Sequence, residues 1–179
     1  MPLRLASKPV VEKHVDQLKR ECEKLQSQGV TPTLKVFLVG NHPPSLIYTR
    51  HKRKFCERIG ASCEILHYED SISEEKLLSE IQKQVDDPQV HGCFVQLPLP
   101  DHLSHLEVNK LIAPEKDVDG FHPFNVDAVV RGQEGPNELY CCTPKGVMTL
   151  LNEYEIPMSS KHAVVIGRSM IVGKPMGMM

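Results

Sequence analysis

The sequence contains 179 residues, of which 40% are hydrophobic and 25% are charged. This composition is typical of a globular α/β protein and is too apolar for a disordered chain. The formal net charge of -2 excludes the broad basic surface of a nucleic-acid-binding protein, and no stretch approaches the roughly 18 consecutive apolar residues of a membrane span.

The first half of the sequence alternates helices and strands. Apolar residues at helical spacing predict three helices, at residues 11–25, 45–59 and 77–85. Three aliphatic and β-branched runs predict buried strands, at residues 33–39, 63–67 and 92–97. Gly29, Gly60 and Pro88 end the three helices, and Ser71 with Glu74 forms a predicted capping box in front of the third.

Beyond residue 97 the sequence predicts a short helix, an irregular stretch, a longer helix and a last strand, at residues 103–112, 114–137, 143–154 and 162–167. Thr143 is the predicted N-cap of the longer helix, with Pro144 at its first position. Because strands alternate with helices, we predict an α/β fold in which a mostly parallel sheet forms the middle of three layers, with helices on both faces.

Six cysteines are present, at positions 22, 56, 63, 93, 141 and 142. They lack the CxxC spacing of zinc and redox motifs, so we interpret them as small core residues in a reducing compartment. The N-terminal segment has no apolar run long enough for a signal peptide. These features predict a cytoplasmic protein.

Two predicted strands end next to polar residues that could form a site. Ligands of parallel sheets bind beyond the carboxyl ends of the strands, so Tyr48, Lys52 and Gln96 are expected to lie near each other. Tyr48 and Lys52 are four residues apart and share a helix face. The spacing alone is typical of an exposed basic helix surface, but it also suits a partly desolvated lysine that moves protons.

The segment from Lys116 to Pro123 combines acidic residues, a glycine and prolines, which predicts a tight loop shaped for a ligand or a metal. Asp117 and Asp119 are two apart, and such pairs more often stabilise turns than bind metals. No supporting spacing of histidines or further acids accompanies them, so we expect no metal site.

A glycine-rich segment follows the last predicted strand. Gly167, Ser169 and Gly173 lie where a strand should turn into a helix, and such turns bind dinucleotide phosphates. The segment departs from GxGxxG, because Ser169 replaces the second glycine and the last glycine comes one residue late. It is therefore equally compatible with a purely structural turn. Arg168 would suit the 2′-phosphate of NADP.

Six short segments spread over almost the whole chain occur in one order: Val39-Gly40-Asn41, Ser45-x-x-Tyr48-x-x-x-Lys52, Val95-Gln96-Leu97-Pro98-Leu99-Pro100, Pro114-x-Lys116-Asp117-Val118-Asp119-Gly120, Cys142-Thr143-Pro144-x-Gly146 and Gly167-Arg168-Ser169-x-Ile171-Val172-Gly173-x-Pro175. Each segment alone is a weak signal, whereas the ordered series is a strong one. Together they closely resemble the family of bifunctional methylenetetrahydrofolate dehydrogenase/cyclohydrolases.

The resemblance implies two α/β domains with a cleft between them, and a homodimer. Residues 1–140 are then expected to form a folate-binding catalytic domain. Residues 141–179 are expected to form a linking helix and the first strand and turn of a Rossmann-type NADP-binding domain. The implied reactions are NADP-dependent oxidation of 5,10-methylenetetrahydrofolate to the 5,10-methenyl form and its hydrolysis to 10-formyltetrahydrofolate, as part of one-carbon metabolism and purine biosynthesis.

The same resemblance implies roles for individual residues. Lys52 would transfer protons during the hydrolysis, and Gln96 would hydrogen-bond Lys52. Tyr48 would stack on the folate rings, and Asp119 would accept hydrogen bonds from the pterin, which a carboxylate suits. The other residues expected to bind substrate are Val95 and Leu97. Those expected to bind NADP are Gly167, Arg168, Ser169 and Gly173.

The sequence departs from the family where it stops, at Met179, inside the first strand-turn-helix unit of the expected NADP-binding domain. Hydride transfer requires a held nicotinamide, so we expect the dehydrogenase step to be lost while the residues implied in hydrolysis are all present. A single strand cannot bury itself, so we expect residues from about 160 onward to be disordered or swapped onto a partner.

Two other interpretations remain open from the sequence. The chain could be a folate-binding or interaction module without turnover, or an unrelated NAD(P) dehydrogenase that uses the Gly167 turn. The second has no account of the grouping of Tyr48, Lys52 and Gln96. Hydrolysis of methenyltetrahydrofolate that is lost in a Lys52→Met variant would separate an enzyme from a module.

Overall fold

The computed structural model describes residues 4–132 and 139–179 of the chain. Its strands are β1 Thr33–Val39, β2 Ser62–Tyr68 and β3 Gly92–Val95. Its α-helices are α1 Ser7–Ser27, α2 Pro43–Ile59, α3 Glu74–Asp86, α4 Pro123–Val130, α5 Cys142–Glu153 and α6 Gly173–Met178. Single turns of 3₁₀-helix lie at Asp101–Leu103, Val108–Lys110 and Pro114–Lys116.

The three strands form a parallel sheet in the order β2-β1-β3, with Val36 paired to Ile65 on one side and to Phe94 on the other. The chain moves outward from β1 to β2 and then back across β1 to β3. Because parallel crossovers are right-handed, these opposite moves place α2 and α3 on opposite faces of the sheet. The α/β class with a parallel sheet is confirmed.

The central strand is buried on both faces. Phe37 and Val39 pack with Leu77 and Ile81 of α3 in the main apolar cluster. Val36 and Leu38, which alternate with them, are also buried. Consecutive side chains of a strand point to opposite faces, so β1 reads as a continuous apolar run, as parallel strands covered on both faces do.

Helix α5 is tied to the start of the chain. The Lys13 ammonium lies 2.6 Å from a Glu153 carboxylate oxygen. The Tyr154 hydroxyl, just after α5, donates to the Ala6 carbonyl at 2.9 Å and accepts from the Ala6 amide at 3.1 Å. These contacts hold the end of α5 against α1 with polar bonds from both the helix and the residue that follows it.

The strands predicted at residues 33–39 and 63–67 are confirmed, the second extended by one residue at each end. The strand predicted at 92–97 ends at Val95. The predicted capping box at Ser71 is wrong. Helix α3 begins at Glu74, and its N-cap Ser73 accepts a hydrogen bond from the Lys76 amide at 3.3 Å, because an N-cap serine reaches the amide three residues ahead.

The helix predicted at residues 103–112 is wrong, since this segment forms two separate 3₁₀ turns. Leu103 and Ile112 are both buried in the apolar cluster beneath α3, and a segment that winds along the cluster buries both. Helix α4 was missed inside the stretch predicted to be irregular. It begins after His122, whose Nδ1 accepts from the Phe124 amide at 3.1 Å. Residues 133–137 of that stretch lie outside the described residues.

Two predictions near the C-terminal end are also wrong. The N-cap of α5 is Cys141, two residues before the predicted Thr143, and it makes no side-chain hydrogen bond. Residues 162–167 do not form a strand. Val164 and Ile166 are 73% and 98% exposed, because none of the described strands pairs with this segment, as a strand requires.

Within the described part of the chain, none of the helices is both long and apolar enough to cross a membrane. The six cysteines are all free thiols.

Buried thiols predict a loss of stability at high pH. Burial raises the pKa of Cys93 and of Cys141 from an ordinary 9.0 to about 11. Below pH 9 the thiols are protonated in both states, so their contribution to stability is fully present. Between pH 9 and about 11 only the unfolded state ionises, so the free energy of unfolding falls by on the order of 2 kcal/mol per buried thiol.

Urea unfolding under reducing conditions at pH 7, 9, 10 and 11 measures this loss. A Cys93→Ala variant is the control, because it starts less stable but loses less of its stability as the pH rises. Parallel pH curves for the two proteins would contradict the assignment to Cys93.

Candidate active site

The strand order creates a crevice at one edge of the sheet. The chain adds β2 on one side of β1 and then β3 on the other side, and α2 and α3 cross on opposite faces of the sheet. Ligands of such sheets bind where the order of addition reverses, beyond the carboxyl ends of β1 and β3. Gly40 leaves β1 with a φ of 74°, and a Cβ there would lie 2.5 Å from the Asp70 carboxylate oxygen. The left-handed backbone conformation favours glycine at this exit, whereas the Asp70 side chain can turn away from a Cβ.

The start of α2 is fastened to the end of β3. His42 is the N-cap, with prolines in the first turn, which suits a helix start because proline has no amide hydrogen. Ser45, only 3% exposed, donates its hydroxyl to the Leu97 carbonyl at 3.2 Å. This bond joins the two segments that leave the sheet at the crevice.

Lys52 lies at the centre of the crevice. Its ammonium is 3.4 Å from the centre of the Phe94 ring and 4.9 Å from that of Tyr48. The same nitrogen is 3.4 Å from an Asp119 carboxylate oxygen, and both side chains are 22% exposed. Aromatic faces attract a cation, and partial burial strengthens the ion pair relative to a solvated one. A lysine held in this way can donate a proton to, or accept one from, a group bound beside it.

The loop that carries Asp119 runs beside β3. Asp117 forms a parallel bridge with Cys93, so the loop advances in the same direction as the strand and brings Asp119 to its carboxyl end. Asp117 is buried and accepts from the His122 amide at 2.7 Å and from the Asn125 side chain at 3.0 Å. The two aspartates therefore differ: Asp117 builds the loop, and Asp119 faces the crevice.

Lys116, which also belongs to the predicted ligand loop, has a structural partner. Its ammonium donates to the carbonyls of Val85 and Asp87 at 2.6 and 2.7 Å, where a cation complements the carboxyl end of α3. Gly120 closes the loop at a φ of 69°, packed directly against the backbone of Tyr140 and Cys141.

Gln96 does not make the hydrogen bond to Lys52 that was predicted. Its Nε2 donates to the Leu97 carbonyl at 2.8 Å, and its Oε1 is buried with no hydrogen-bond partner among the described residues. The Lys52 ammonium pairs with Asp119 instead. Leu97 is 53% exposed at the crevice and its peptide bond to Pro98 is cis. The Val95 side chain points away, into the cluster beneath α3.

Two residues of the crevice were missed by the sequence analysis. Phe94 was interpreted only as part of an apolar strand. It lies two residues before Gln96, and residues two apart share a face of a strand, so this alternation could have revealed it. The Cys142 thiol donates to the Val118 carbonyl at 3.2 Å. No local pattern signals its position, which depends on contacts between residues far apart in sequence.

The Cys142 thiol also senses the charges of the crevice. Desolvation raises its pKa, and the Asp119 carboxylate raises it further, whereas the ammonium groups of Lys52 and Lys145 oppose this change. The thiol is therefore protonated at neutral pH and acts as a weak hydrogen-bond donor rather than as a nucleophile. Across the residues that the structure describes, no group of three or more His, Cys, Asp or Glu side chains could hold a metal ion.

The segment predicted to bind NADP forms a closed turn before α6. A Cβ at Gly173 would lie 2.4 Å from the Gly167 carbonyl oxygen, so the two glycines allow the turn to fold tightly. The Ser169 hydroxyl accepts from the Val172 amide at 3.2 Å and from the Gly173 amide at 3.3 Å. Arg168 is exposed. The turn is thus closed by the approach of its two glycines to each other, with a serine hydroxyl on two of its amides, and its binding of NADP stays a prediction.

Two protein-family models match the chain. The tetrahydrofolate dehydrogenase/cyclohydrolase catalytic domain matches residues 5–119, and the NAD(P)-binding domain of the same family matches residues 141–179. The bifunctional protein FolD of Bacillus cytotoxicus is 46% identical over 168 residues, which cover 94% of this chain and 58% of that protein. FolD of Halalkalibacterium halodurans is 46% identical over 173 residues, covering 97% and 61% respectively.

Solved structures give the same result. The bifunctional FolD methylenetetrahydrofolate dehydrogenase/cyclohydrolase of Campylobacter jejuni is 42% identical with a TM-score of 0.93, covering 97% of this chain and 61% of that one. A 5,10-methylenetetrahydrofolate dehydrogenase from the silkworm, Bombyx mori, is 35% identical with a TM-score of 0.92, covering 99% and 61%. The chain spans about three fifths of the length of these relatives. It belongs to the tetrahydrofolate dehydrogenase/cyclohydrolase family.

Proposed function

We propose that the chain acts in the interconversion of one-carbon derivatives of tetrahydrofolate, by hydrolysing 5,10-methenyltetrahydrofolate to 10-formyltetrahydrofolate. The observation that carries the proposal is the Lys52 ammonium held between Phe94, Tyr48 and Asp119 at the carboxyl ends of the strands. The oxidation of 5,10-methylenetetrahydrofolate with NADP, which precedes this step, is the second activity we propose for the whole protein.

The ion pair of Lys52 and Asp119 suggests how substrate binding activates the lysine. A pterin presents an amino group and a ring N–H, and a carboxylate with two oxygens suits both donors. A pterin that binds Asp119 therefore competes with Lys52 for it. Lys52 then loses its negative partner and faces a cationic methenyl group, and both changes favour the neutral amine.

The neutral amine can take a proton from water. The water oxygen attacks the methenyl carbon between N5 and N10 as its proton passes to the Lys52 nitrogen. The bond from this carbon to N5 then breaks as the Lys52 ammonium returns its proton to N5, and the hydroxyl on the carbon loses its proton to solvent, which leaves a formyl group on N10. One methenyl cation and one water thus give the neutral formyl product and one released proton, with one lysine alternating between base and acid.

Other residues of the crevice would position the ligand. Tyr48 is about half exposed beside Lys52, which leaves its ring available to stack on the folate. Gln96 would offer its buried oxygen as an acceptor, and the exposed Leu97 would contact the ring system. Val95 would contribute through its backbone, since its side chain lies in the core.

The NADP site is proposed on the turn at residues 167–173. The close approach of Gly167 and Gly173 is the feature that a dinucleotide turn needs. A phosphate of NADP would replace the Ser169 hydroxyl as the acceptor of hydrogen bonds from the Val172 and Gly173 amides. The exposed Arg168 would bind the 2′-phosphate. When bound, NADP supplies the acceptor for the hydride. Titration with NADP, compared with NAD and with an Arg168→Ala variant, tests this assignment.

We also propose the division into a catalytic domain at residues 1–140 and the start of an NADP-binding domain at 141–179. The family matches at residues 5–119 and 141–179 support this boundary. A homodimer is proposed from the sequence resemblance, and sedimentation measures it. A cytoplasmic location is supported by the six free thiols, which suit a reducing compartment.

Replacing Asp119 with asparagine is expected to weaken the binding of tetrahydrofolate by about 10-fold or more. A hydrogen bond to a charged group is worth roughly 1.5–3 kcal/mol, and asparagine keeps only one acceptor oxygen. Isothermal titration calorimetry measures the affinity. Asp127→Asn is the matched control, because this carboxylate lies on α4, is half exposed and pairs with Arg131, the residue that follows the helix. Equal affinities for wild type and the Asp119 variant would remove Asp119 from the binding site.

A further inference from the structure

A chain of hydrogen bonds connects the exposed His42 to the side-chain amide of Gln96, whose oxygen has no hydrogen-bond partner among the described residues. His42 Nδ1 lies 3.0 Å from the Ser45 hydroxyl oxygen. That hydroxyl is 3.2 Å from the Leu97 carbonyl, and the Gln96 amide nitrogen is 2.8 Å from the same carbonyl. Four groups from two separate segments are thus linked in a row.

Counting hydrogens assigns the direction of each bond. A serine hydroxyl has one hydrogen, and Ser45 donates it to the Leu97 carbonyl. The Ser45 oxygen can then only accept from His42, so Nδ1 must carry a hydrogen. The Leu97 carbonyl has two lone pairs and accepts from both Ser45 and Gln96. With its NH₂ group held there, the Gln96 amide is left with its oxygen free.

The free oxygen lies on the side of the strand that faces Lys52. Gln96 is two residues after Phe94, whose ring contacts the Lys52 ammonium, and alternate residues of a strand share a face. The backbone N–H of Gln96 donates to the Phe37 carbonyl at 2.8 Å, so the hydrogen-bonding pattern of the strand continues to this residue. A buried acceptor without a donor costs free energy, which a donor brought to it recovers.

We propose that His42 is a positioning residue that acts through Ser45 and Leu97 to present the Gln96 amide to the crevice as a hydrogen-bond acceptor. The inference rests on the proposed function, in which the donor is an N–H of the neutral Lys52 amine once the pterin has taken Asp119, so that the nitrogen lone pair is left to take a proton from water. Without His42 the Ser45 hydroxyl is free to rotate away from the Leu97 carbonyl, so this carbonyl is no longer fixed in the place where it holds the Gln96 NH₂ group. The Gln96 side chain can then turn its NH₂ group towards Lys52 and occupy the lone pair that the amine needs to take a proton from water.

The first test determines the tautomer of the His42 ring and does not depend on enzymatic activity. Nitrogen-15 NMR of the wild-type chain at pH 8 distinguishes a protonated from a bare Nδ1. The expected result is an Nδ1–H tautomer for His42, together with a change in the Gln96 side-chain NH₂ resonances in His42→Ala. A bare Nδ1 in the neutral ring would overturn the proposal.

The second test measures steady-state hydrolysis of methenyltetrahydrofolate. His42→Ala is expected to lower kcat by about 3- to 10-fold, the worth of one neutral hydrogen bond, with KM unchanged, since His42 does not touch the ligand. His42→Asn keeps an N–H donor and a good helix cap, and it is expected to restore kcat to within about 2-fold of wild type. His105→Ala, an exposed histidine paired with Glu74, is the control.

A double-mutant cycle separates positioning from a general effect on α2. If His42 acts through the amide, His42→Ala has no further effect on kcat in a Gln96→Ala background. An undiminished effect in that background would overturn the proposal. If the wild-type chain binds folate but does not turn over, the proposed function fails, and the NMR measurement still decides the role of His42.

Discussion

Replacing Lys52 with methionine is expected to lower the hydrolysis of methenyltetrahydrofolate by about 10²- to 10⁴-fold, the range that a positioned proton-transferring group contributes. Methionine matches the length of the lysine stem and can rest on the Phe94 and Tyr48 rings, but it cannot carry a proton. Affinity for tetrahydrofolate is expected to stay the same or rise slightly, because Asp119 no longer has a competing partner. Steady-state kinetics and calorimetry measure the two effects.

Arg53→Met is the matched control for this substitution. Arg53 is the next basic residue of α2, half exposed, and it forms an ion pair with Glu57 at 3.8 Å. Its loss is expected to leave both hydrolysis and binding within about 2-fold of wild type, because exposed ion pairs contribute little. Hydrolysis at the wild-type rate by the Lys52 variant would falsify the role of Lys52. Tight binding by the wild type without turnover would identify a folate-binding module instead.

Replacing Gly120 with alanine is expected to destabilise the fold by about 3 kcal/mol or more. The left-handed conformation alone costs an alanine roughly 1–2 kcal/mol. The new Cβ would also lie 2.3 Å from the Tyr140 carbonyl carbon and 2.6 Å from the Cys141 amide nitrogen, and backbone atoms cannot move aside as a side chain can. Urea unfolding measures the free energy, and folate binding is expected to weaken because Asp119 precedes the displaced residue.

Alanine substitutions at two other glycines distinguish backbone strain from steric contact as the cause of the lost stability. Gly132 has a φ of 61°, and none of the described residues lies within 4 Å of the place of its Cβ, so Gly132→Ala is expected to cost only the roughly 1–2 kcal/mol of backbone conformation. Gly146 lies within α5 in open space, and Gly146→Ala is expected to stabilise the helix by about 0.5–1 kcal/mol. Equal effects at Gly120 and Gly132 would show that contact with residues 140 and 141 is unimportant.

The strands of the sheet were predictable because burial on both faces imposes a continuous aliphatic run, as at residues 33–39, which ordinary polar segments do not imitate. The segment at 162–167 has the same local pattern but forms no strand, since a strand depends on neighbours that a local pattern does not contain. The prediction of a helix at residues 103–112 was wrong for a related reason. Leu103 and Ile112 are apolar at a plausible helical spacing, yet contacts with the core decide their conformation.

The sequence predicted which residues lie at the candidate site better than it predicted the contacts between them. Strand ends and helix spacing brought Tyr48, Lys52 and Gln96 to one edge, and the structure places them there. The partner of Lys52 was not predictable, because the Asp119 loop reaches it through a bridge to β3 that involves residues more than 20 apart in sequence. Phe94 was hidden by its resemblance to an ordinary core residue.

The polar contacts between α5 and the start of the chain have a mechanical consequence. Tyr154 and Glu153 hold the end of α5 to α1 at Ala6 and Lys13, so we expect α5 to move with the folate-side half of the molecule. A change in the angle of the proposed nucleotide-binding part is then expected after Tyr154 rather than near residue 141. Glu155 and Ser160 adopt left-handed backbone conformations there, and α6, which contacts α4, would have to part from it.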